Sequence, residues 1–170
     1  MTGAIELVEF REATPAREAE VARVMAECPD YYRTVQGRPA GPEEVHDFFH
    51  AEVPGIEPRD VRSYGIYCQG RMVGLASMVL GWKRPGQSMI GFLAVSERER
   101  GHGHARAACE ALEAIARSSP HGTSMRIGIV ETNANAFGFW HHLGFVETGE
   151  RKTLEEFTAD VILLEKALDG

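Results

Sequence analysis

The sequence has few cysteines, few basic residues and no long apolar run. Its three cysteines, Cys28, Cys68 and Cys109, form no Cys-x-x-Cys pair and are odd in number. A disulfide framework needs paired cysteines, so this usage favours free thiols in a reducing compartment. We therefore expect a cytoplasmic protein.

Positive charge is also in the minority. Lys and Arg total 18 against 25 for Asp and Glu, and the net charge is −7. Proteins that bind a nucleic-acid backbone depend on positive charge, so nucleic acid is not an expected partner. No apolar run reaches the roughly 20 residues that cross a bilayer. Residues 1–10 also lack the basic and apolar regions of a secretory signal, so we expect no membrane association.

What is present suits one domain with a large core over residues 1–170, without repeats or linkers. Apolar patterns predict strands at 5–10, 63–68, 72–82, 88–95, 125–130, 145–154 and 158–165. They predict helices that begin at Pro15, at Pro42, directly after a glycine-rich loop near Gly103, and at Asn133 or Asn135. Residues 30–41 read as a loop. This order predicts a mixed, mostly antiparallel α/β sheet with helices on its faces.

The glycine-rich loop carries the strongest chemical signal. It follows the apolar run 89–95, contains Gly101 and Gly103, and has arginines at positions 98, 100 and 106. Glycines let a ligand approach the backbone, and the free N–H groups of a helix start attract anions. The arginines add charge that suits phosphate oxygens. The pattern predicts a pyrophosphate site, although a glycine turn beside a solvated helix is the simpler alternative.

Two segments together resemble the signature segments of the GNAT acetyltransferase superfamily. Residues 100–105 match the loop pattern Q/R-x-x-G-x-G/A through Arg100, Gly103 and Ala105. A second segment has the family's asparagine, alanine, aromatic and Gly-Phe spacing, at Asn133, Ala136, Trp140, Gly144 and Phe145. The likeness extends loosely over nearly the full chain in the order of strands and helices.

The resemblance implies acetyl-CoA as the donor substrate, bound by a splayed strand pair. The pyrophosphate would lie on the loop, at Arg100, Gly101, His102, Gly103, His104 and Ala105. The pantetheine arm would pair with the backbone of Leu93, Ala94 and Val95 as an added strand. Gly91, a glycine inside an apolar strand, is interpreted as a bulge at the splay or as a packing gap.

The resemblance also implies direct acetyl transfer to an amine in a ternary complex. The Leu93 N–H would stabilise the thioester carbonyl oxygen. Many members have a proton-donating tyrosine where this chain has Trp140, and an indole is no acid. Trp140 and Ala136 are instead expected to contact the donor. A thiol of pKa about 8.5 leaves readily as an anion, so the loss is tolerable.

Other positions have two readings each. His141 is the nearest replacement acid, but it lies about 100° around the helix from Trp140, so a solvated or capping role is favoured. Asn133 would hold the pantetheine or a water, or it would cap a helix. Tyr31 and Tyr32 would line the acceptor pocket, or they would anchor packing.

The remaining expectations concern partners and alternatives. The family's frequent glutamate base is absent, because Ser88, Met89 and Ile90 carry no carboxylate. No metal is expected, and dimers in the family leave a homodimer open. A dinucleotide-binding fold is excluded by the mid-chain position of the loop and its missing third glycine. We expect an N-acetyltransferase for a small or peptidic amine. A catalytically weak acyl-CoA-binding or regulatory module, suggested by Trp140, is the alternative.

Overall fold

The computed structural model describes residues 4–168, which form seven strands and five α-helices. The strands are β1 (Ile5–Phe10), β2 (Val61–Cys68), β3 (Arg71–Leu80), β4 (Gln87–Val95), β5 (Ser124–Val130), β6 (Val146–Lys152) and β7 (Val161–Ala167). The helices are α1 (Pro15–Ala26), α2 (Pro29–Gln36), α3 (Pro42–His50), α4 (His104–Arg117) and α5 (Asn135–His142).

The strands form one sheet in the order β1-β2-β3-β4-β5-β7-β6. Neighbouring strands are antiparallel, with the exception of β4 and β5, which are parallel. A parallel pair needs a crossover, and α4 supplies it. The predicted mixed, mostly antiparallel α/β fold is confirmed.

Helices cover both faces of the sheet because β3 alternates its apolar side chains. Val73, Ala76 and Met78 belong to a core cluster shared with α4 and α5. Met72 and Leu75 belong to a second cluster, shared with α1, α2 and α3. Burial on two sides fixes the register of the central strands.

The centre of the sheet is splayed at β4. This strand pairs with β5 only through Gln87–Ile90. Ile90 lies opposite Met78 on β3, and Phe92 lies opposite Ser77, so Gly91 is the extra residue of a β-bulge. A Cβ on Gly91 would come within 2.9 Å of the Ser77 hydroxyl. The predicted bulge and the predicted splayed strand pair are both confirmed.

The prediction of a loop over residues 30–41 is wrong for its first half, where α2 runs. Pro29 occupies the first turn of α2, a position that suits proline. Eight residues carry too little periodic signal to predict a helix, and a helix of this length depends on tertiary packing. Burial of Tyr32 and Val35 provides it.

Smaller differences concern the ends of elements. β3 stops at Leu80 and not at Trp82, because Gly81 has a left-handed φ of +81°. Cys109 is fully buried on α4. Within residues 4–168, no helix combines the length and the apolar character that crossing a membrane requires.

Thr14 caps α1, since its Oγ1 accepts a hydrogen bond from the Arg17 N–H at 3.2 Å. We expect Thr14→Ala to lower the free energy of unfolding by about 1 kcal/mol, because one N–H of the first turn loses its acceptor. Urea denaturation measures this change. Thr14→Ser keeps the hydroxyl and should retain most of the stability. An equal loss in both variants would contradict a capping role.

Candidate functional site

The open edge of β4 lies beyond the bulge. The Ser96 N–H donates to the Val73 carbonyl on β3 at 2.8 Å. Successive residues of a strand direct their backbone groups to alternate sides, so Ala94 also faces β3, whereas Leu93 and Val95 face away from it. β5 has diverged there, and the Cys28 Sγ donates to the Val95 carbonyl at 3.5 Å. The Leu93 N–H and C=O and the Val95 N–H have no strand partner within residues 4–168.

The loop after β4 gathers unpaired backbone N–H groups. Gly101 and Gly103 have φ values of +86° and +76°, a region that favours glycine. Ala107 donates to the Gly103 carbonyl at 3.0 Å, and α4 continues from there. The N–H groups of residues 101–106 donate to no acceptor in the described part of the chain. Such a helix start binds anions, because free N–H groups and the helix dipole both favour negative charge.

The space beside these amides is open. A Cβ built on Gly101 or Gly103 would meet no atom within 4 Å. A phosphate can therefore approach the backbone, and a side chain at either position would enter the same space. Arg106 forms an exposed ion pair with Glu110 at 3.2 Å, and Arg98 lies 3.8 Å from a carboxylate oxygen of Glu27.

The two histidines of the loop differ in environment. His102 is exposed, whereas His104 is 5% exposed and begins α4. The His104 Nδ1 is buried and has no hydrogen-bond partner among the described residues. The backbone N–H groups of both residues donate to no acceptor among the described residues. Ala105 packs against the core below.

Asn133 forms the turn between β5 and α5. Its N–H donates to the Val130 carbonyl at 2.8 Å, and its own carbonyl accepts from Ala136 at 3.1 Å. The start of α5 has no side-chain cap. Because no group within residues 4–168 hydrogen-bonds the Asn133 carboxamide, this side chain is free to bind a ligand.

Trp140 is a core residue of α5. It is 6% exposed, and its ring packs edge-on against Phe139 and Phe145, with ring centroids 5.0 and 5.1 Å apart. His141 lies at the surface instead, where its Nε2 is 2.9 Å from a carboxylate oxygen of Glu147. The environment of His141 thus matches the solvated alternative, and neither side chain offers a proton donor of the tyrosine type.

The two tyrosines of α2 cover the splay. Tyr31 packs edge-on against Phe92, with ring centroids 5.6 Å apart, and against Tyr32, with ring centroids 5.1 Å apart. Phe92 directly precedes Leu93 on the open edge. Tyr31 also contacts the cluster that contains Val130, at the end of β5. Its ring therefore lies between the diverging strands.

Burial controls the protonation of these side chains. It raises the pKa of Tyr31 to about 12 and also raises the pKa of Tyr32. Both hydroxyl groups therefore stay protonated at neutral pH. The Tyr31 hydroxyl has no hydrogen-bond partner within the described residues.

A threonine cluster closes the other end of α2, and no sequence pattern predicted it. The Thr34 carbonyl accepts from the Thr158 Oγ1 at 2.6 Å and from the Thr132 Oγ1 at 3.1 Å. These bonds tie α2 to the turn that carries Asn133 and to the segment between β6 and β7. The partners lie about a hundred residues apart in the chain, so no local signal marks them.

The sequence matches the acetyltransferase (GNAT) family over residues 22–145. This chain belongs to the GNAT acetyltransferase family. The matched range includes α2, the open edge of β4, the glycine-rich loop and α5. No curated protein matches the sequence.

Solved structures share this GNAT fold. An acetyltransferase from Thermus thermophilus has a TM-score of 0.76 at 20% identity, over 99% of this chain and 100% of that chain. The Salmonella typhimurium acetyl transferase that modifies the N-terminal serine of ribosomal protein L7/L12 has a TM-score of 0.74 at 16% identity. The match covers 98% of this chain and 96% of that chain. A GNAT acetyltransferase from Elizabethkingia anophelis with acetyl-CoA bound has a TM-score of 0.65 at 14% identity. The match covers 97% of this chain and 99% of that chain. These likenesses show the fold.

Within residues 4–168, no group of three or more His, Cys, Asp and Glu side chains could hold a metal ion. The groups that the site does offer are backbone amides, two tyrosines and a carboxamide.

We expect Gly103→Val to weaken CoA binding by at least roughly tenfold, because a branched side chain enters the anion space and disfavours a φ of +76°. Calorimetry with CoA measures this. Gly55→Val is the matched control, since Gly55 has a φ of +81° and an equally open surrounding but lies outside the loop. Unchanged affinity of the Gly103 variant would contradict the anion site.

Proposed function

We propose that this chain is an acetyl-CoA-dependent N-acetyltransferase that acetylates a primary amine of a small molecule or a peptide. One observation carries the proposal. The unpaired backbone edge at Leu93 and Val95 leads, within a few residues, into the run of free N–H groups at 101–106. A pantetheine arm followed by a diphosphate has the polarity and order that this surface requires. Membership in the GNAT family supports the same donor.

The donor would use both halves of this surface. The Leu93 carbonyl and the Val95 N–H would pair with the pantetheine amides, and the loop would hold the diphosphate. The free Asn133 carboxamide would reach the pantetheine from the β5 side of the splay. Ala136, half-buried on α5, and the adjoining edge of Trp140 would complete the apolar wall.

Transfer proceeds by attack of a neutral amine on the thioester carbonyl. The Leu93 N–H would donate to the carbonyl oxygen as negative charge develops there. The C–N bond forms, the C–S bond breaks, and the thiolate of CoA departs. The nitrogen then loses its extra proton to water or to the thiolate.

Direct transfer is favoured over a covalent intermediate on Cys28 or Cys109. Burial raises the pKa of the Cys28 thiol to about 11 and that of the Cys109 thiol to about 12. The thiolate is the nucleophilic form, so both side chains are unreactive at neutral pH. Cys28 is also engaged with the Val95 carbonyl.

The acceptor would enter on the α2 side of the splay. Tyr31 and Tyr32 supply an aromatic wall next to the reacting carbonyl, and the Tyr31 hydroxyl is available to accept a hydrogen bond from the amine. Packing and substrate contact are compatible at Tyr31, because this side chain packs edge-on against Phe92 and is only partly buried. The Salmonella relative that modifies an N-terminal serine makes peptide amines part of the test.

A thiol-release assay tests the function. Acetyl-CoA is incubated with a panel of polyamines, amino sugars, amino acids and peptides with N-terminal serine or alanine. We expect thiol release that depends on one class of amine and forms an equimolar amide. CoA binding without turnover over the whole panel would support the acyl-CoA-binding module instead.

The pH dependence of kcat/KM tests the assignment of protons. The amine must be neutral, so the rate should rise with pH until the amine has lost its proton. The raised pKa values of Tyr31 and Cys28 predict no second ionisation below about pH 10. A fall in rate between roughly pH 8 and pH 10, on a substrate stable there, would contradict this assignment.

Tyr31→Phe tests the acceptor wall separately. Loss of the hydroxyl should raise KM for the amine several-fold, while CoA affinity stays unchanged, because the ring and its packing remain. Steady-state kinetics and calorimetry give the two values. An unchanged KM for the amine would place the Tyr31 hydroxyl outside the acceptor site.

A further inference from the structure

The short junction between α1 and α2, residues 27–28, and the first turn of α2 are fastened to the end of β4 and the start of the loop. Four hydrogen bonds join the two segments: Cys28 Sγ to Val95 O at 3.5 Å, Ser96 Oγ to Glu27 Oε1 at 2.7 Å, Glu97 N to Glu27 O at 2.9 Å, and Asp30 N to Glu97 Oε2 at 3.0 Å. The loop therefore leaves β4 in a direction that the junction sets. Glu27 takes part through both its backbone and its carboxylate.

The Glu27 carboxylate lies among cations. The Arg23 Nη1 is 3.1 Å from both oxygens, and guanidinium groups of Arg71 and Arg98 lie at 3.7 and 3.8 Å. The side chain of Glu27 is only 14% exposed. Burial alone would raise its pKa, but hydrogen bonds from Ser96 and Arg23 and the nearby arginines outweigh this and lower the pKa. The carboxylate is ionised at neutral pH.

The three arginines differ in what they can still bind. Arg23 also donates to the Met72 carbonyl at 2.9 Å, which fixes it within the structure. The side chains of Arg71 and Arg98 are 49% and 71% exposed, so each guanidinium keeps donors open to solvent. Three guanidinium groups surround the Glu27 carboxylate, and the Glu97 carboxylate lies on the other side of the junction, where it accepts from the Asp30 N–H. A phosphate is the ligand that such open guanidinium donors suit.

We propose that Glu27 is a positioning residue, which holds the loop and the guanidinium groups of Arg71 and Arg98 in the arrangement that receives the phosphate-bearing end of CoA. The inference rests on the proposed use of this loop for CoA. Neither signature segment of the family contains Glu27, and its partner Ser96 lies 69 positions away in the chain.

The direction in which Glu27→Gln changes CoA affinity distinguishes a positioning role from a purely electrostatic one. The substitution removes a negative charge near an anion site, so electrostatics alone would tighten CoA binding. Loss of the charge-assisted bonds to Ser96 and Arg23 releases the loop and the exposed arginines, which would weaken binding. We expect CoA affinity to fall by about tenfold, with KM for acetyl-CoA rising in parallel and kcat within about twofold of wild type.

Glu44→Gln is a closely matched control. The Glu44 carboxylate is 15% exposed, contacts Arg38 at 2.8 Å and accepts from the Gly41 N–H at 2.6 Å, but it lies on α3. The experiment titrates CoA into wild type, Glu27→Gln, Glu44→Gln and Ser96→Ala by calorimetry, and it records the Tm of each. Glu44→Gln should keep its CoA affinity. Ser96→Ala removes a single hydroxyl and should weaken CoA binding about threefold.

The outcomes separate the two proposals. Unchanged or tighter CoA binding by Glu27→Gln overturns the positioning role, as does an equal loss of affinity in Glu27→Gln and Glu44→Gln. If Glu27→Gln does not fold, Ser96→Ala decides, and an unchanged affinity there overturns the role. If wild type binds CoA and turns over amines, the proposed function stands whatever Glu27 does. Absence of CoA binding by wild type overturns both.

Discussion

The structure depends on an interruption of backbone pairing in the middle of its sheet. β4 hydrogen-bonds β5 over four residues, and the bulge at Gly91 then turns the strand away. Unpaired backbone groups are costly in a protein interior, so a sheet that leaves Leu93 and Val95 open is arranged for a partner of extended shape. The free N–H groups of residues 101–106 follow this edge along the chain. The edge suits a chain of amides, whereas these N–H groups suit an anion. The proposed donor site would thus consist mostly of backbone groups.

Helix α2 lies over the splay and is connected at both of its ends to segments beside it. α2 places Tyr31 beside Phe92, and the junction before α2 holds the loop through Glu27. The C-terminal end of α2 is bonded at the Thr34 carbonyl to the turn that carries Asn133. A displacement of α2 would therefore move groups near the proposed positions of the thioester, the diphosphate and the acceptor together. This continuity explains how a helix of eight residues can be well placed.

Trp140 separates this chain from the family pattern in a specific chemical respect. Its indole packs among Phe139 and Phe145, so the position contributes volume to the core and no exchangeable acid. Departure of CoA as a thiolate needs little help near neutral pH, since a thiol is a far stronger acid than an alcohol. What the site has to supply is a dry pocket, a donor for the carbonyl oxygen and a neutral amine. In the proposed mechanism the Leu93 N–H would be that donor, and the α2 tyrosines would line the pocket.

The sequence by itself determined the features that local patterns encode. Apolar patterns indicated the strands, Pro15 indicated the start of α1, and the spacing of Gly101 and Gly103 indicated the loop. Gly91 indicated a bulge as one of two alternatives. Tertiary structure alone decided α2, the bonds of Thr34 and the arginine cluster at Glu27. These rest on contacts between residues dozens to more than a hundred positions apart, whose free energy appears only when the sheet brings them together.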